Sequence, residues 1–128
     1  MARIILMLLA FVSSSAMAEW REVGKDAAHA TTVYADPTSI RRDGSTAALL
    51  HLYDFRTPQT AARKQYSSLK QQREFDCKRK ISRSIQTYAF SGNMGNGAIV
   101  ANEPGDADWR PVVPETPIAY LMFIACTK

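Results

Sequence analysis

Residues 66–77, YSSLKQQREFDC, decide the fold. Leu69, Phe75 and Cys77 share one parity along this stretch, while Ser68, Lys70, Gln72 and Glu74 share the other. An apolar–polar period of two belongs to a strand with one face on a core and one toward water, the habit of antiparallel sheets. Lys78-Arg79-Lys80 follows as a charged turn, and Ile81 to Phe90 then supplies another run with Ile81, Ile85 and Ala89 in phase. Two such runs joined so closely form a hairpin.

Upstream, Thr46 to Phe55 places Leu50 and Leu52 on one face and Leu49, His51, Tyr53 and Phe55 on the other. Apolar groups on both faces mark a central strand. Ser39-Ile40-Arg41-Arg42 leads into it through Asp43-Gly44, the strongest short hairpin signal in the chain. Thr31 to Ala35 is rich in β-branched and aromatic residues and is expected to stop at Asp36-Pro37. Glu19 to Val23 fits a short first strand with Trp20 as its buried member. Thr57-Pro58-Gln59 is expected to be a loop.

Downstream, Ser91 to Gly97 is glycine-rich and suits a mobile loop or a tight turn. A short apolar piece, Ala98 to Ala101, precedes the polar and acidic segment Asn102 to Asp108, which leads into Trp109-Arg110-Pro111. The tail differs in kind. Thr116 suits a helix cap with Pro117 in the first turn, and Ile118, Leu121, Met122 and Ala125 recur at helical spacing. The expected fold is α+β: an antiparallel sheet with one C-terminal helix packed on a face.

Two cysteines, Cys77 and Cys126, admit a single pairing. Met1 to Ala18 explains why they would be oxidised. Arg3, the apolar run Ile4 to Val12 and the small residues ending in Ala16-Met17-Ala18 have the three-part layout of a secretory signal peptide, with cleavage before Glu19. The apolar run is about half the ~20 residues needed to cross a bilayer, so a transmembrane anchor is not expected. The mature chain, residues 19–128, is then one exported domain, and a disulfide is the default for an oxidising compartment. Closing a loop of about 50 residues stabilises the fold by roughly 4 kcal/mol on the chain-entropy model. Metal binding fits poorly, since Cys77 and Cys126 with His29 and His51 show no ligand spacing.

Lys and Arg number 16 against 12 Asp and Glu, a net charge of +4 that becomes +3 once Arg3 is removed. A pI near 9.3 favours acidic partners such as glycosaminoglycan, anionic lipid or an acidic protein face. The cations cluster: Arg41 and Arg42 before one turn, Lys78, Arg79 and Lys80 in another with Arg83 beyond, and Arg63-Lys64 in a loop. If the first two clusters meet, they form a basic binding patch. Nucleic acid is not expected after export, and no reading motif is present.

No matched catalytic set is legible. Neither histidine has a nucleophile motif nearby, and His51 suits a sheet-face side chain better than a base. Asp54 and Asp76 suit structural turn or hydrogen-bond roles. The Ser91–Gly97 loop lacks the lysine and following helix of a phosphate cradle, and no cofactor is implied.

The series Trp20, Tyr34-Ala35-Asp36, Ser39-Ile40, Asp43-Gly44, Leu52-Tyr53-Asp54, Glu74-Phe75-Asp76-Cys77, Tyr88 to Gly95, Trp109-Arg110-Pro111 and Cys126 resembles the surface-adhesin E family of small exported bacterial proteins. The resemblance implies a sheet of about six strands, with the helix tied across it by the disulfide. It also implies adhesion to host matrix proteins such as vitronectin and laminin, with dimerisation. Family adhesins are lipid-anchored, whereas no cysteine lies near the cleavage site here. The expected function is therefore a non-enzymatic exported binding or adhesion module, in the periplasm or at the outer-membrane surface, recognising a protein or polyanion. The alternative is a periplasmic inhibitor or envelope-maintenance factor docking onto another periplasmic protein. Open sheet edges admit a homodimer.

Overall fold

The computed structural model describes residues 18–128, apart from the side chain of His29. The expected signal segment lies outside them except for Ala18. Seven strands form one antiparallel sheet: β1 (Arg21–Asp26), β2 (Thr31–Asp43), β3 (Thr46–Ala61), β4 (Lys64–Asp76), β5 (Ile81–Phe90), β6 (Ile99–Pro104) and β7 (Arg110–Pro111). Neighbours follow sequence order from β1 to β6, and β7 pairs with β5 beside β6. A helix, α1 (Pro117–Thr127), closes the chain.

The strands run longer than their sequence signals. β2 does not stop at Asp36-Pro37, and β3 does not end at Thr57-Pro58-Gln59. In each case the proline sits in a bulge where the register shifts, between Asp36 and Arg41 in β2 and between Asp54 and Gln59 in β3. The bulge removes the need for the N–H that proline lacks. In β2 the gap is bridged by Ser39, whose hydroxyl donates to Asp36 O at 2.6 Å and accepts from Leu50 N at 2.8 Å. The Asp36 carboxylate accepts from Thr38 N at 3.0 Å.

Register assigns the faces. Val33, Ala35, Ala47, Leu49 and Phe75 lie under α1, whose Leu121 and Ala125 are fully buried against them. Thr116 caps the helix by accepting from Ala119 N at 3.3 Å, with Pro117 in the first turn, as the sequence indicates. The Cys77–Cys126 disulfide, with Cα atoms 5.7 Å apart, ties the last helical turn to the end of β4. No helical residue carries a charge to offset the C-terminal carbonyls. Arg42 does so instead, donating to Cys126 O at 2.8 Å.

Two alternations fail. Ile81 and Ala89 do not share a face, because a shift between Gln72 and Arg73 inserts a bulge at Ser84-Ile85 and leaves Ile85 exposed. Ser68 is fully buried, not turned to water as its polar parity suggests. Above it sits the Ser91–Gly97 segment.

Candidate functional site

The glycine-rich segment is a cover. Asp54 Oδ1 accepts from Asn93 Nδ2 at 3.0 Å and from Met94 N at 2.8 Å. Ser68 donates to Gly92 O at 2.7 Å and accepts from Gly95 N at 2.9 Å. Leu52 is thereby sealed from water. Gly95 has φ +72, in the left-handed region that favours glycine, and a Cβ there would meet Lys70 Cε, the far end of a flexible side chain that would have to move aside. Lys70 extends between Phe90 and Trp20, its Nζ 4.9 Å and 5.9 Å from the ring centroids. Asp54 thus holds a loop. Asp76, eight residues away along the paired strands, accepts from Lys78 N at 3.1 Å and Arg79 N at 3.0 Å. At about 3.3 Å per residue the two carboxylates lie some 26 Å apart, so they form no acid–base pair.

His51 is a sheet-face side chain, as expected, but its neighbours were not foreseen. It is fully buried beside Arg73, whose Nε lies 3.4 Å from His51 Nε2. The Arg73 fork also donates to Ser82 Oγ at 3.1 Å and Gln71 Oε1 at 2.7 Å, and Gln71 donates onward to Thr87 at 2.9 Å. Burial, then the Arg73 charge, lowers the imidazole pKa from 6.5 to about 3. The ring is neutral at any ordinary pH, and its Nδ1 has no hydrogen-bond partner among the described residues. One signal was available: Gln71 and Arg73 share the inward parity of Leu69 and Phe75.

Beside the N-terminus of α1, on the same face, lies an open apolar recess of about 700 Å³, lined in part by Val33, Tyr53, Phe55, Leu69, Pro117 and Ile118.

The cations meet at one end of the sheet. The β2–β3 and β4–β5 turns lie side by side there, joined by Cys77 N donating to Ser45 O at 2.8 Å. This brings Arg41 and Arg42 to the same end as Lys78, Arg79 and Lys80. Their commitments differ. Arg42 is engaged with Cys126 O, Gly44 O and Cys77 Sγ. Arg83 pairs with Glu74 at 3.0 Å and stacks on Trp109 at 4.5 Å. Arg79 reaches Asp76 only at 4.0 Å. Arg41, Lys78 and Lys80 are exposed. Arg63 and Lys64 occupy the opposite end, about 40 Å away along β4. Among the described residues no group of three or more His, Cys, Asp or Glu could hold a metal ion.

The family model described as Surface-adhesin protein E matches residues 20–127. No curated protein sequence matches the chain. Among solved structures, crystal form II of Haemophilus influenzae protein E superposes with a TM-score of 0.64 at 16% identity, covering 74% of this chain and 80% of that one. Protein E from non-typeable Haemophilus influenzae gives 0.62 at 15% identity, covering 89% and 79%. At such identities the likeness is one of fold.

Proposed function

The chain belongs to the Surface-adhesin protein E family, and on that premise we propose that it is an exported, non-enzymatic binding module that docks onto proteins outside the cytoplasm. The observation carrying this reading is the extent of the match: residues 20–127 span the whole folded body from the residue before β1 to the end of α1. The groups that chemistry would recruit are already engaged in structure. Asp54 clamps a loop, Asp76 builds a turn and His51 is sealed and neutral. Export is supported by residues 1–18, with their basic start, apolar run and Ala-Met-Ala end. Among the described residues no helix is long and apolar enough to cross a membrane.

Fractionation combined with protease shaving of intact cells tests the location. Removal by external protease places the module at the surface. Purified chain should then bind immobilised matrix proteins at physiological salt, and failure on all of them rejects the adhesion reading. Protection until the outer membrane is breached, together with inhibition of a muramidase, would support the periplasmic inhibitor.

A further inference from the structure

The basic end of the sheet has a ligand chemistry of its own. We propose that Arg41, Lys78, Arg79 and Lys80 form a binding site for a linear sulfated glycan.

Four observations carry this. First, the hydrogen bond from Cys77 N to Ser45 O locks two hairpin turns together, so cations 37 residues apart in sequence lie at one end of the sheet. Second, the side chains of Arg41, Lys78 and Lys80 are exposed and have no bonded partner among the described residues. Arg42 and Arg83, by contrast, are committed within the fold. Third, the nearby carboxylates do not cancel the patch. Asp76 accepts two backbone N–H groups and meets Arg79 only at 4.0 Å, Glu74 is held by Arg83, and Asp43 is the remaining acid of the two turns, so Arg41, Lys78 and Lys80 stay in excess. Fourth, the cations lie across β2 to β5, three strand spacings or about 14 Å, a stripe suited to an extended anion.

The turn tips also discriminate between anionic surfaces. Gly44, Ser45 and Lys78 to Lys80 present no apolar side chain to insert into a bilayer, so a membrane is the poorer fit. Flexible lysines around a turn suit a flexible chain of dense charge, for which shape complementarity matters little.

The site rests on the reading of the chain as exported, since sulfated glycans lie outside cells. A chain that stays in the cytoplasm removes the partner, whereas a failure on heparin removes the site. The test measures binding of purified residues 19–128 to heparin against sodium chloride concentration. Controls are the Arg63→Gln/Lys64→Gln variant, which loses charge at the far end, and anionic phospholipid vesicles. Arg41→Gln/Lys78→Gln/Lys80→Gln should weaken heparin binding roughly tenfold while the far-end variant stays within about twofold. Circular dichroism should be unchanged in both, since none of these side chains is packed. Equal weakening by the two variants would reduce the effect to net charge. No retention of the parent chain at 0.15 M salt, or tighter binding to the vesicles than to heparin, would also overturn the site.

Discussion

One face of the sheet is closed by an uncharged helix that buries Leu121 and Ala125 and is stapled by Cys77–Cys126. The other is closed over Leu52 by a glycine-rich loop, held by Asp54, Ser68 and Asn93. The first cover relies on apolar area, which is non-directional, and so needs a fixed tether to set its position. The second relies on directional hydrogen bonds, which set position themselves but contribute only about 1 kcal/mol each. Removing a part of the apolar cover should therefore cost more than removing a part of the polar one.

The largest effect is expected from the staple. Replacing Cys77 and Cys126 together by Ser should lower stability by roughly 4 kcal/mol in urea titration, the scale expected for a loop of about 50 residues. A loss below about 1 kcal/mol would show that α1 keeps its place without the staple, on its apolar contacts and the Arg42 hydrogen bond to Cys126 O. Leu121→Ala, which hollows the centre of the helix face, should cost about 3 kcal/mol.

Acid attacks the same face through His51. Its folded pKa, about 3, lies below the ordinary 6.5, so the unfolded chain takes up the proton first. Stability from the neutral buried ring is complete above pH 6.5 and should fall by roughly 1 kcal/mol per pH unit as pH drops toward 3. His51→Gln should flatten that slope. An unaltered slope would transfer the acid sensitivity to other groups.

On the polar side, Asp54→Ala strands Met94 N, while the exposed Asn93 amide keeps Phe55 O, and should cost about 1 kcal/mol. Faster amide exchange should be confined to Asn93–Gly95. Spread of that exchange into α1 would mean the two covers are coupled. The smallest effect is expected at the β3–β4 turn, where Ala62 and Arg63 have φ of 49° and 66°. Ala62→Asn with Arg63→Gly should stabilise the chain by under about 1 kcal/mol, because these residues tolerate the left-handed region.

That turn also shows why the strand ends were hard to read. Ala62-Arg63 lacks any turn signature, whereas Thr57-Pro58-Gln59 has one and lies inside β3. Proline forbids a ladder N–H but not a bulge, and whether a bulge forms depends on what lies opposite. The same limit applies to the polar residues at inward parity: Gln71 and Arg73 become a buried network only because register sets them beside His51, Ser82 and Thr87.

By itself the sequence determined the antiparallel hairpins, the capped terminal helix and the single pairing of Cys77 with Cys126. Those features follow from local period, turn chemistry and cysteine arithmetic, all short-range or countable. Tertiary structure alone decided that Asp54 and Ser68 clamp the glycine loop, that Arg42 serves the helix end, and that Arg41 and Lys78–Lys80 share one end of the sheet. Each joins residues distant in sequence, and strand register, a property of the assembled sheet, brings them within reach.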